Sequence, residues 1–452
     1  MENIFGKKIT ISSLLRFTLP TIAMMVLLSL YTIVDGIFIA RYAGPTALSS
    51  TNIVFPVINI ILGISIMMAT GGSAVIARAM GEGNYSSARQ IFTALTLVVF
   101  FLGILIAVGG MYWIEPIIYR LGATEELYPL CYDYLSISLV FTPISILKTY
   151  MDYLLVTAGK PKLGLFNGIL GGCINIVMDY VLMSTFHMGV KGAALGTALG
   201  ATFPAIISLG YFIFKKEVLF FSKPKIKFMT LLRICTNGSS EMVTQISSGI
   251  TTYLFNILLL RYIGVDGVAA ITIILYAHFL LTSAFLGFSS GCAPIISFHY
   301  GSGDKPQLQR LVRYSYSLLL GCCVGVLILS QMIAGNLTAV FAGRDTALFD
   351  ITVSAFRIFS IAFLFDGINV FTSGMFTAFS NGGISAFISF LRTLGFFVLG
   401  ITILPKWLGI TGIWLTVPFA EVLTVTVSAF FIWRYRFQYG YGVLKESQNV
   451  NN

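Results

Sequence analysis

Four acids, Asp35, Asp179, Asp366 and Glu421, stand in stretches otherwise almost bare of charge. A charged side chain at the middle of a bilayer costs about 2.5–3.5 kcal/mol on insertion scales, so such a residue faces a polar cavity or a partner. Asp35 lies in Ser29-Leu30-Tyr31-Thr32-Ile33-Val34-Asp35-Gly36, with Tyr31 one helical turn earlier on the same face. Asn175 and Asp179 are four apart, which stacks an amide and a carboxylate on one side of a helix. Thr197 adds a hydroxyl within Gly192-Ala193-Ala194-Leu195-Gly196-Thr197, a small-residue run that permits close helix packing. If these segments converge, Asp35, Asn175, Asp179 and Thr197 supply only oxygen ligands, which suits a hard cation such as sodium. Two carboxylates sharing a dry site equally suit a proton. The plainer alternative is that each acid is separately satisfied. Asp133, Asp152 and Glu241 lie nearer expected helix ends, where snorkelling and capping explain them.

The elements that carry these residues follow from composition. Hydrophobic residues make up 57% of the 452-residue chain and charged residues 10%, where a soluble protein has about 25% charged. Breaking the apolar runs at charges and turn residues predicts an all-α polytopic membrane protein of twelve transmembrane helices. The first six run over 11–40, 46–77, 86–113, 128–158, 162–185 and 190–214. The second six run over 232–262, 267–298, 307–334, 348–378, 382–404 and 410–434. The net charge of +10 points to topology rather than nucleic acid, because the basic residues sit in turns between spans. With the N-terminus inside, cytoplasmic segments hold 19 Lys and Arg and outside segments 7, which places both termini in the cytoplasm. The start of the chain, with Lys7, Lys8 and Arg16 before a long apolar stretch, is expected to be an uncleaved first span. The six cysteines form no C-x-x-C pair, so neither zinc nor a disulfide framework is expected.

A basic linker at 215–230 divides the chain into a lobe at 1–214 and a lobe at 231–452. A shift of 220 residues across it superposes Arg41, Tyr42 and Gly44 on Arg261, Tyr262 and Gly264. The same shift takes Gly71 to Gly291, Gly81 and Gly83 to Gly301 and Gly303, and Gly189 and Gly192 to Gly409 and Gly412. Six spans per repeat is an even number, so the lobes share one orientation about an axis along the membrane normal. The Gly-x-Gly turns lack a following Gly-Lys-Ser/Thr and are expected to terminate helices rather than bind phosphate. Without a nucleotide site, energy for transport must come from an ion gradient.

With these residues in hand, the chain resembles the MATE (multidrug and toxic compound extrusion) family, most closely its MepA-like and DinF-like members. The resemblance runs through Pro20 with Tyr31 and Asp35, the Asn175 to Asp179 element, the Gly192 to Thr197 run and the Gly81 and Gly301 turns. It implies that Asp35, Asn175, Asp179 and Thr197 form a first-lobe cation site. It also implies that bending at Pro20 accompanies protonation. Asp366, in Phe365-Asp366-Gly367-Ile368-Asn369, resembles the aspartate that the NorM branch uses for sodium, although that branch's seventh-span acid has no convincing match here. Asp366 is therefore a candidate for cation or cationic substrate, and Glu421 for a cation site or a structural partner. Lys148 and Asp152, four apart, are expected to pair, and His278 to be a packing residue.

The expected function is secondary active export of amphipathic or cationic small molecules against inward proton or sodium movement, by a monomer in a prokaryotic cell membrane. No cofactor beyond the coupling ion is expected. A lipid-linked precursor flippase is the second reading, disfavoured because only Lys148 and Arg392 are basic residues within spans. A channel or membrane enzyme is disfavoured by the repeated lobes and by the lack of a nucleophile, metal cluster or cofactor motif.

Overall fold

The computed structural model describes residues 8–442; Lys7 and Lys445, counted above toward the cytoplasmic charge, lie outside the described residues. Among the described residues eleven helices are long and apolar enough to cross a membrane. The pair Tyr128–Val140 and Thr142–Thr157, bent by 55°, makes a twelfth when taken as one span. The protein is thus all-helical and multi-pass.

The first half comprises α1 (Ile11–Phe38), α2 (Pro45–Gly81), α3 (Tyr85–Tyr112), a short α4 (Ile114–Arg120), α5 (Tyr128–Val140), α6 (Thr142–Thr157), α7 (Pro161–Asp179) and α8 (Val190–Phe214). The second comprises α9 (Phe228–Tyr262), α10 (Val265–Ser302), α11 (Lys305–Ala339), α12 (Ala347–Phe359), α13 (Phe363–Ala378), α14 (Gly382–Phe390), α15 (Phe396–Leu408), α16 (Ile410–Trp414) and α17 (Thr416–Tyr435). The spans expected at 128–158, 348–378, 382–404 and 410–434 are each broken. At the first break Pro143 sits in the opening turn of α6, where it withholds a backbone donor and disfavours helix in the residue before it. The second break is a 3₁₀ turn at Ser360–Ala362, the same place in the repeat, without a proline. Three helices also slip into π-turns, at Ile39–Ala43, Tyr180–Thr185 and Leu391–Gly395. Such bulges leave carbonyls out of the regular ladder and cluster at functional sites.

Symmetry is visible in the packing. A Cβ on Gly71 of α2 would lie 3.1 Å from the backbone nitrogen of Gly238 in α9, and one on Gly291 of α10 would lie 3.1 Å from Thr18 in α1. Gly71 and Gly291 are repeat mates, and so are Thr18 and Gly238. Gly83 and Gly303 end their helices with φ of +78° and +71°, and the next residues, Asn84 and Asp304, cap α3 and α11. Gly81 and Gly301 do something else. A Cβ on Gly81 would strike the Phe298 carbonyl, and one on Gly301 the Arg78 carbonyl. The Gly-x-Gly turns thus end α2 and α10 as expected, and Gly81 and Gly301 in addition let the two helices touch backbone to backbone.

The linker is clasped to the first half. Lys160 Nζ meets Glu217 Oε2 at 2.7 Å, Arg89 Nε donates to the Val218 carbonyl at 3.0 Å, and the Ser222 amide donates to Thr93 Oγ1 at 2.9 Å. Arg89 also lies over the Phe220 ring at 4.1 Å. Its last expected residues already belong to α9.

Candidate functional site

Two glycine stripes bring the first-half residues together. On one face of α7, Gly168 and Gly172 accept Met24 and Tyr31 of α1, with would-be Cβ contacts of 2.9 and 3.2 Å. The residue numbers rise together, so the helices run parallel, and continuing the register sets Asp35 opposite Asp179. On another face, Gly171 meets the Gly200 carbonyl of α8, Gly200 meets Asn175 and Gly196 meets Asp179. Those numbers run in opposite directions, as antiparallel neighbours require. Small residues four apart on both helices remove the side chains that would hold the backbones apart.

The result is a compact oxygen-rich site. The Asp35 and Asp179 carboxyls are within hydrogen-bonding reach of each other, and Asn175 Nδ2 donates to Thr197 Oγ1 at 3.4 Å. Asp35 Oδ1, both Asp179 oxygens and Asn175 Oδ1 are buried without a hydrogen-bond donor among the described residues. Buried polar atoms in native proteins are nearly always satisfied, and two ionised carboxylates in contact repel. This donor set fits a proton or a hard monovalent cation held between them. The π-turns that follow both helices begin at Ile39 and Tyr180, just past the acids. Pro20 is buried in α1, beside the Thr18–Gly291 contact, and deprives the helix of one hydrogen bond there.

Tyr31 feels the charges of Asp35, Lys148 and Asp152. Lys148 Nζ and Asp152 Oδ2 are paired at 2.8 Å with side chains 15% and 8% exposed. Removing one partner of a buried pair typically costs about 3–5 kcal/mol, whereas replacing both costs far less. Lys148→Met should therefore lower Tm in detergent clearly more than the Lys148→Met/Asp152→Leu double variant, a ranking that a thermal scan checks.

The second half is built differently. Arg392, on the third π-turn, donates from Nη2 to Asp366 Oδ1 at 2.5 Å and from Nε to Glu421 Oε1 at 2.7 Å. Thr282 donates to Asp366 Oδ2 at 2.5 Å, and Asn369 Nδ2 to Glu421 Oε2 at 2.7 Å. Ser428 completes the set by donating to Asn369 Oδ1 at 2.9 Å. Asp366 is thus not the open acid that its sequence suggests, because a guanidinium from the same chain already holds it. His278 Nε2 stands 3.6 Å from Asp366, its ring stacked on Phe363 at 5.6 Å. Glu241, set aside by sequence as too near a helix start, lies well within α9 and faces Arg392 electrostatically.

The MatE family model matches this chain twice, over residues 20–181 and again over 241–402. The chain belongs to the MatE family. Its two matches start at residues 20 and 241, repeating the offset of the glycine pattern to within one residue. Among curated relatives, the multidrug export protein MepA of Staphylococcus haemolyticus is 23% identical, over 96% of this chain and 95% of that one. MepA of Staphylococcus saprophyticus is 21% identical over the same shares. An outward-facing multidrug resistance MATE transporter of the MOP superfamily superposes with a TM-score of 0.90 at 21% identity, covering 97% of this chain and 98% of the other. The MatE fold thus extends over essentially the whole described chain.

Two neighbours of the MatE acids escaped the sequence reading. Tyr134 of α5 feels both Asp35 and Asp179, yet its surroundings carry no spacing signal that would single it out. Arg392 was noticed as a basic residue within a span but not as the partner of two acids.

Proposed function

We propose that this protein is a cation-coupled exporter of amphipathic, often cationic, small molecules, and that Asp35 and Asp179 carry the coupling ion. The observation that supports this most is the group of buried, donorless oxygens shared by Asp35, Asp179 and Asn175. An inward-moving proton or sodium ion is the exchanged substrate at these oxygens, and Thr197 orients Asn175 toward it. With the cation bound, the two carboxylates stop repelling, and α1 bends at Pro20 and squeezes the first-half cavity, which releases substrate outside. With the cation released, repulsion between the carboxylates loosens the contact of α1 with α7 and the bend relaxes. Ion and drug then favour different arrangements of the two halves, which is what coupling requires.

The working protein is a monomer of a prokaryotic cell membrane with both termini in the cytoplasm, the orientation the basic residues support. The export activity of the MepA relatives agrees with small-molecule substrates. A flippase for lipid diphosphates needs unpaired cations within the membrane, and both Lys148 and Arg392 are engaged by acids. The test is export of a fluorescent organic cation from proteoliposomes with proton and sodium gradients imposed separately. One of the two gradients should drive accumulation, and failure of both would end this reading.

A further inference from the structure

The two halves of this repeat treat their acids in opposite ways. In the first half, four oxygens on Asp35, Asp179 and Asn175 lack a donor. In the second, each of the four carboxylate oxygens of Asp366 and Glu421 has one: two from Arg392, one from Thr282 and one from Asn369. Asp366 is 0% and Glu421 3% exposed, so water does not compete for these positions. Asp366 also lies in the first turn of α13, created by the 3₁₀ break, where the helix dipole favours a negative charge.

We propose that Arg392 is the built-in cation of the second half, a tethered guanidinium standing where an exogenous monovalent cation would otherwise bind. Arg392 is thereby the residue that confines ion exchange to the first half. The geometry carries this. Its planar fork reaches acids on two different helices, α13 and α17, from a third segment, and arginine remains charged at any working pH. A sodium ion needs several oxygens converging on it, and here three of the four carboxylate oxygens already accept from nitrogen and the fourth from the Thr282 hydroxyl. The other charges that face the cluster are His278 on α10 and Glu241 on α9. Neither donates to the two carboxylates within hydrogen-bond distance, so the guanidinium alone bridges them. The π-turn Leu391–Gly395 supplies the bulge from which its side chain leaves the helix. The proposal concerns the second half only and does not depend on which ion the first half carries.

The experiment uses the full-length protein in detergent, carrying Asp35→Asn and Asp179→Asn so that the first-half acids contribute nothing. Failure here is then distinct from failure of the proposed coupling. Into this parent go Arg392→Ala, Arg392→Lys, and Arg392→Ala with Asp366→Asn. Tm is measured with sodium, methylguanidinium or choline chloride at equal ionic strength, and binding with radiolabelled sodium. Arg392→Ala should lose stability and regain several degrees with sodium or methylguanidinium but not choline, and should gain one saturable sodium site. The parent, Arg392→Lys and the Asp366→Asn combination should show neither response. A parent that binds sodium as well as Arg392→Ala, or an Arg392→Ala protein blind to both small cations, overturns the proposal. Should Arg392→Ala not fold, Arg392→Gln with Glu421→Gln leaves Asp366 as the one carboxylate of the bridged pair. The same cation response is expected of it, and its absence is equally decisive.

Discussion

Asp35→Asn and Asp179→Asn should each abolish concentrative export while leaving the protein as stable as before or more so. The two halves of that expectation come from one contact. The carboxyls are within hydrogen-bonding reach, with no basic residue among the described ones donating to either, so without a bound cation the pair stores repulsion rather than stability. An asparagine keeps the shape and removes one charge. Under a gradient of one pH unit with no membrane potential, a one-for-one proton exchanger accumulates drug about tenfold, since one unit is worth about 1.36 kcal/mol. Either variant should let the drug equilibrate and no further, with Tm unchanged or raised. Accumulation equal to wild type would remove the acids from the coupling step. A sharp fall in Tm would instead mark them as structural.

That first-half group was legible in the sequence because its members sit on helices whose spacing is written in the chain. Asn175 and Asp179 are a turn apart, and Gly192, Gly196 and Gly200 recur at four-residue intervals. A stripe of small residues implies close approach even before the neighbour is known. The pair Lys148 and Asp152 was legible for the same reason, since four residues along a helix is contact distance. The second-half cluster was not. Arg392, Asp366 and Glu421 come from three segments far apart in sequence, and nothing in Leu391 to Gly395 announces a π-turn. Glu241 was misjudged because the seventh helix was expected to start at 232 and to leave its acid near the end. The turns at Gly81 and Gly301 do end their helices, but the second role of these glycines was not legible, because a glycine before a turn reads only as a terminator. Only the facing helix reveals that its missing side chain makes room for a neighbour.

Gly238→Val should open the seam between the halves and slow transport severely. A Cβ at Gly238 would strike the Met67 carbonyl, with the Met67 carbonyl carbon at 2.7 Å and its Cα at 2.9 Å. These are backbone atoms of a long helix and cannot step aside as a flexible side chain would. Overpacking of this kind costs about 1–3 kcal/mol, and that cost falls only on the arrangement in which α2 and α9 touch here. If the halves exchange between two arrangements during transport, a penalty of about 1–3 kcal/mol shifts their ratio by about 5–150-fold. Spin labels at Glu82 and Arg233, in a background without the native cysteines, should then report a longer distance in the variant than in the parent. Gly249→Val supplies the control on the same helix, because a Cβ there meets nothing within 4 Å. Its distances and export should match the parent. If the two valines behave alike, the cost of the added side chain lies within α9 itself, and the glycine contact is packing without a part in the transport cycle.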